Sequence, residues 1–182
     1  MIGGSAGAFN SILTILQGID KEIKIPILIV LHRLKNSASN FESILQKHTH
    51  YKVKEIEDKE NILKGVLYTA PANYHVLLEL DGTFSLDVSE EVNYSRPSID
   101  VTFESCAVTL KEKCLGILLS GSNSDGANGL KLIALNKGKT IIQDCNEAEF
   151  ANMPEEAKKI YQNHKELNVL NIIKTINNES RY

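Results

Sequence analysis

Three side chains of the kinds that share a proton during acyl transfer stand far apart in the chain: Ser5, His32 and Asp125. A serine hydroxyl is a poor nucleophile until a base takes its proton. An imidazole suits that task because its reference pKa of about 6.5 lets it accept and return a proton near neutral pH, and a carboxylate behind it orients and stabilises the charged ring. Ser5 lies in Gly3-Gly4-Ser5-Ala6-Gly7, which fits the G-x-S-x-G pattern of a nucleophile on a tight strand-to-helix turn. Small neighbours allow the sharp turn, and the helix beyond presents unpaired N–H groups to developing negative charge. The same five residues also fit a glycine-rich turn with a serine cap, or a phosphate cradle. Two phosphate motifs are excluded by spacing. Ala8-Phe9 stands where a Walker loop needs Lys-Ser/Thr, and the G-x-G-x-x-G fingerprint is absent.

His32 follows the apolar run Ile25 to Leu31 and stands 27 residues after Ser5, about one βαβ repeat. Asp125 belongs to Ser120-Gly121-Ser122-Asn123-Ser124-Asp125-Gly126, again between a strand and a helix. It could orient the imidazole, or cap the helix that follows. A calcium loop is excluded, because aligning Asn123, Asp125 and Gly126 leaves Gly121 and Leu132 at the positions that need acidic ligands. The order Ser, His, Asp also differs from the Ser, Asp/Glu, His order of α/β-hydrolases.

The elements that must position these residues are read from hydrophobic periodicity. Phe9, Ile12, Leu13 and Leu16 line one helix face; Ile25 to Leu31 reads as a buried strand; Ser39 and Glu42 form a capping box before a second helix. Strands are expected at Tyr51 to Ile56, Val66 to Thr69, Tyr74 to Leu80 and Thr83 to Val88, the last two joined at Asp81-Gly82. After Pro97 and a capping Ser98, the spacing predicts a helix through Leu110, a strand at Leu115 to Leu119, and a helix reaching Leu135. A strand at Thr140 to Gln143, a helix from Asn152, and a final stripe Val169, Ile172, Ile173 and Ile176 complete the chain. This rhythm predicts an α/β fold: a doubly wound, mostly parallel sheet flanked by helices, with a small antiparallel hairpin insertion around residues 66 to 88. In such sheets ligands bind beyond the carboxyl ends of the strands, which is where all three residues fall.

At 182 residues, 42% hydrophobic and 24% charged, the chain suits one domain with one core. Its net charge of −3 provides no basic excess to attract nucleic acid. Cys106, Cys114 and Cys145 form no CxxC pair and lack a histidine at ligand spacing, so neither a disulfide framework nor a zinc site is expected. No apolar run approaches the roughly 20 residues of a membrane span. A cytoplasmic protein without metal or organic cofactor is the expectation.

Several ordered segments resemble the catalytic domain of the CheB family, the protein-glutamate methylesterases of bacterial chemotaxis. They are Ile2 to Gly7, Val30-Leu31-His32, Tyr68-Thr69-Ala70-Pro71 with His75, Arg96-Pro97-Ser98-Ile99-Asp100, Ser120 to Gly126, and Met153-Pro154. The resemblance implies hydrolysis of γ-glutamyl methyl esters on the cytoplasmic helices of chemoreceptors, with deamidation of receptor glutamines in some members. It implies a triad of Ser5, His32 and Asp125, and oxyanion donors at the backbone N–H groups of Ala6 and Ser122. Only four residues precede Ser5, so no receiver domain, and no control by phosphorylation in cis, is expected within this chain. The first strand is correspondingly short, and unpaired backbone groups are expected on its neighbours. Two other classes fit parts of the pattern: a CheB-like module that binds partners without catalysis, and an anion-binding domain built on the Gly3 to Gly7 turn.

Overall fold

Short β-branched and aliphatic runs alternate with amphipathic stripes, and the chain folds as that alternation requires. The computed structural model describes residues 1–33 and 40–179. Its first half runs β1 (Ile2–Gly4), α1 (Ala8–Gly18), β2 (Ile27–Leu31), α2 (Phe41–Lys47), β3 (Lys52–Glu55), β4 (Val66–Thr69), β5 (His75–Leu78) and β6 (Phe84–Asp87). Then follow α3 (Ile99–Leu110), a 3-10 turn, β7 (Leu115–Leu118), α4 (Ala127–Leu135), β8 (Lys139–Gln143), α5 (Asn152–Ile160), β9 (Lys165–Leu167) and α6 (Val169–Glu179). Seven strands form one parallel sheet in the order β3-β4-β2-β1-β7-β8-β9, while β5 and β6 pair antiparallel as a separate hairpin.

Successive residues of a strand point to opposite faces, so a strand covered on both faces is apolar throughout. In β2, Ile27 and Ile29 join a core with Ile12 and Leu16 of α1, Leu45 of α2 and Ile172 of α6. Leu28 and Val30 join the opposite core with Phe103 of α3, Leu130 of α4, Ala157 of α5 and Phe84 of the hairpin. The chain thus leaves β1 for one face and its neighbour β7 for the other. The two loops part, and a crevice opens at the point where the strand order reverses.

The hairpin insertion is narrower than expected. Val66–Thr69 is buried at every position and pairs in parallel between β3 and β2, leaving only β5 and β6 antiparallel. Of the expected capping box, Ser39 lies outside the described residues. Asn40 stands at the N-cap, and Glu42 accepts hydrogen bonds from Arg33 Nη1 (3.0 Å) and Thr69 Oγ1 (2.8 Å). The short β1 is also better paired than expected, since Ile117 N–H donates to Met1 O (3.0 Å) and the Met1 amine donates to Leu115 O (2.7 Å). Burial of that amine holds its pKa below the ordinary value. Among the described residues no helix is long and apolar enough to cross a membrane.

Candidate active site

Parallel register brings Ser5 level with His32. Gly4 pairs with Leu31 across β1 and β2, and the ladder continues one residue further as His32 N–H donates to Gly4 O (3.3 Å). On the other side Ser5 N–H donates to Ser120 O (2.9 Å), which ties the serine to the loop after β7. Gly7 caps α1 at a φ of 76°, and a Cβ there would lie 2.7 Å from Ser120 Oγ, so the turn after the serine requires glycine.

His32 and Asp125 are in direct contact: His32 Nε2 lies 2.8 Å from Asp125 Oδ2. The carboxylate is fully buried and its remaining capacity is filled at the start of α3. Oδ2 also accepts from Ile99 N–H (2.6 Å), and Oδ1 accepts from Ser98 Oγ (2.8 Å), Asp100 N–H (3.2 Å) and Asn93 Nδ2 (3.0 Å). Burial pushes the Asp125 carboxyl up, but the hydrogen bonds from His32, Asn93, Ile99 and Ser98 outweigh it and hold the group below the usual aspartate range. An ionised carboxylate only accepts, so Nε2 carries the ring proton and Nδ1 of the neutral ring carries the lone pair. Asp125 does not cap the helix that follows it, whose N-cap is Gly126; it caps the neighbouring helix α3 on the same face of the sheet instead.

Ser5 is not hydrogen-bonded to His32 among the described residues. The hydroxyl nearest Nδ1 in the hydrogen-bond pattern is Ser95 Oγ, at 3.3 Å. Ala6 and Ser122 lie in the loops that follow β1 and β7. Ser120 Oγ joins those loops, donating to Ala6 O (2.8 Å) and accepting from Phe150 N–H (2.9 Å), and Asn152 Nδ2 holds Ser122 O (3.0 Å).

The spacing of the sequence left several of these partners unread. Asn93 and Ser95 reach Asp125 and His32 from the loop before α3, and Asp100 shares the Asn93 amide with Asp125, at 3.0 Å from each. The segment Arg96 to Asp100 was visible as part of the family resemblance, but its contact with Asp125 depends on tertiary packing. Arg96 bonds Val88 O, Ser89 O and Asn73 Oδ1, and His75 takes Ser98 N–H on Nδ1 (3.1 Å), so both brace the segment. An open cleft of about 590 Å³ runs along this side, lined by His32, Arg33, Glu91, Tyr94, Ser95, Arg96 and Pro97.

Burial, with a smaller contribution from the Asp125 charge, raises the Asp100 carboxyl from 3.8 to about 6. The folded chain therefore holds this proton more tightly than the unfolded chain, and the stability it contributes is full below the unfolded pKa and lost as pH rises to about 6. Thermal unfolding of Asp100→Asn should accordingly show a flatter pH dependence than the native chain between about pH 4 and 6. Identical slopes would refute this assignment.

Gly126 fixes the same corner. Its φ is 92°, and a Cβ there would lie 2.6 Å from Ile99 Cγ2 and 2.7 Å from Leu118 Cδ1. Gly126→Ala should cost about 2 to 4 kcal/mol, combining left-handed backbone with overpacking, as read by denaturant unfolding.

The family model for CheB methylesterase matches residues 1–176. A protein of Leptospira interrogans is 47% identical over 157 residues, covering 86% of this chain and 81% of its own length. Proteins of Shewanella oneidensis and Thermotoga maritima, both named protein-glutamate methylesterase/protein-glutamine glutaminase, are 33% and 29% identical. The matches cover 87% and 85% of this chain, and 46% of each relative. The crystal structure of the Thermotoga maritima CheB methylesterase catalytic domain superposes with a TM-score of 0.92 at 27% identity, covering 98% of this chain and 96% of that one. Fold, family match and relatives agree, and the chain belongs to the CheB methylesterase family.

Proposed function

We propose that this chain hydrolyses γ-methyl esters of glutamate on chemoreceptor helices in the cytoplasm, with Ser5 as nucleophile, His32 as base and Asp125 as the orienting acid. The observation that carries this reading is the 2.8 Å bond between His32 Nε2 and buried Asp125, made at the strand end adjacent to the one that bears Ser5. Ser5 Oγ attacks the ester carbonyl while its proton passes to His32 Nδ1, the ring nitrogen that the Asp125 bond leaves with a lone pair. The backbone N–H groups of Ala6 and Ser122 receive the oxyanion. Collapse of the tetrahedral adduct breaks the bond to the methoxy oxygen, which takes the proton from Nδ1 and leaves as methanol. Water, deprotonated at Nδ1, then cleaves the Ser5 ester to release glutamate and restore the hydroxyl. Deamidation of a glutamine follows the same course with ammonia as the leaving group. The names of the relatives, methylesterase and glutaminase together, support both outcomes.

One observation favours the alternative of a binding module without catalysis: Ser95, rather than Ser5, bonds Nδ1. Catalytic hydrogen bonds often tighten only when substrate is bound, so the esterase reading is kept. Methanol release from a methylated chemoreceptor cytoplasmic fragment decides between the two. Release by the native chain supports the esterase, and binding of the fragment without release supports the module.

A further inference from the structure

The loop between β6 and α3 contains a conformation that packing alone does not call for. Val92 and Ser95 form an isolated antiparallel bridge, Val92 N–H donating to Ser95 O (3.2 Å) and Ser95 N–H to Val92 O (3.0 Å). Asn93 and Tyr94 are therefore the two central residues of a tight turn, and both lie in the left-handed region, with φ of 52° and 59°. Asparagine tolerates that region. A bulky aromatic residue rarely adopts it, and the second position of such turns usually belongs to glycine. The tyrosine gains no intramolecular packing in return, because it is 98% exposed. Residues held in disfavoured backbone conformations cluster at ligand clamps and active sites.

The turn is pinned to the candidate reacting groups on both sides. Asn93 Nδ2 donates to Asp125 Oδ1 and to Asp100 Oδ2, and Ser95 Oγ lies 3.3 Å from His32 Nδ1. Tyr94 is thus held at a fixed offset from His32, and the two line the same cleft of about 590 Å³. A single methyl-esterified side chain fills only a small part of a cleft that size, so neighbouring groups of a protein substrate contact the remaining walls. We propose that Tyr94 is a specificity-determining contact for the protein substrate. Its ring packs on the helix that carries the scissile ester, against an apolar side chain three or four residues away, the spacing that shares one helix face. This assignment rests on the esterase reading above.

The test compares the native chain with Tyr94→Gly, Tyr94→Asn and Tyr94→Phe on two substrates. One is a methylated chemoreceptor cytoplasmic fragment, and the other is N-acetyl-glutamate γ-methyl ester α-amide, which carries the ester without the neighbouring helix residues that Tyr94 would contact. Glycine and asparagine relieve the backbone, so both variants should unfold at the native temperature or above it. They should keep the small-ester rate within about two-fold yet lose at least about five-fold in kcat/KM on the fragment, through KM, while Tyr94→Phe keeps both activities. Unchanged fragment kinetics in Tyr94→Gly and Tyr94→Asn would overturn the proposal. So would a parallel fall on the small ester, which would mean that the residue acts through the His32 geometry. Hydrolysis of neither ester by the native chain would instead overturn the esterase reading, and this inference with it.

Discussion

Ser5→Ala should abolish methanol release from a methylated receptor fragment, with a loss of at least about 10³-fold in rate, while leaving the fold intact. The two halves of this expectation have separate causes. In the proposed mechanism, removing the hydroxyl removes the atom that forms the acyl intermediate, and the remaining oxyanion donors supply only residual rate. The stability half follows from the surroundings: Ser5 is only partly buried, and its side chain makes no hydrogen bond among the described residues, so the change should stay within about 0.5 kcal/mol. Ser95→Ala is the informative control, since Ser95 rather than Ser5 is hydrogen-bonded to Nδ1. It should retain activity within an order of magnitude. Full activity in Ser5→Ala together with loss in Ser95→Ala would move the nucleophile to the loop before α3.

Asp125→Asn should lower the rate by about 10³- to 10⁴-fold and, unlike Ser5→Ala, also destabilise the protein by about 2 to 4 kcal/mol. Every partner of the carboxylate is a donor: His32 Nε2 and Ile99 N–H on one oxygen, and Asn93, Ser98 and Asp100 N–H on the other. An amide offers one acceptor and must aim its NH₂ at donors on the other side. If the NH₂ faces His32, the ring shifts its proton to Nδ1 and loses the lone pair that takes the serine proton. Because the native carboxyl is held below its ordinary pKa, its stabilising contribution is full above the unfolded pKa and fades as pH falls through the folded value. Denaturant unfolding at pH 7 should show the deficit, and at strongly acid pH the native chain and Asp125→Asn should converge.

The parts of the fold that were legible in the sequence are those set by local pattern. The helix stripes through Ile12 and Leu16, and through Ile172 and Ile176, lie where the period places them, and Ser98 caps α3, its hydroxyl accepting from Val101 N–H. What depended on partners was harder to read. β4 looked like part of the antiparallel insertion until its two parallel neighbours were known, and β9, three partly exposed residues at the sheet edge, carries no apolar run to announce it. The candidate site divides along the same line. Ser5 and His32 follow strand ends directly and Asp125 lies in the loop between β7 and α4, positions that a βαβ rhythm predicts. Asn93, Ser95 and Asp100 reach them through a tight turn and a helix start whose approach is a tertiary fact.

The structural role of Asp125, beside the one proposed for it in catalysis, bears on how catalysis could be lost by drift. In many enzymes the reacting groups are a burden on stability, and a lineage released from catalysis gains by discarding them. Here the acid closes the amino end of α3, so selection for folding alone retains it, whereas the hydroxyl of Ser5 makes no hydrogen bond among the described residues. Among descendants or duplicates of this gene, an intact aspartate is therefore poor testimony to activity. The serine is the position whose retention testifies to continued use.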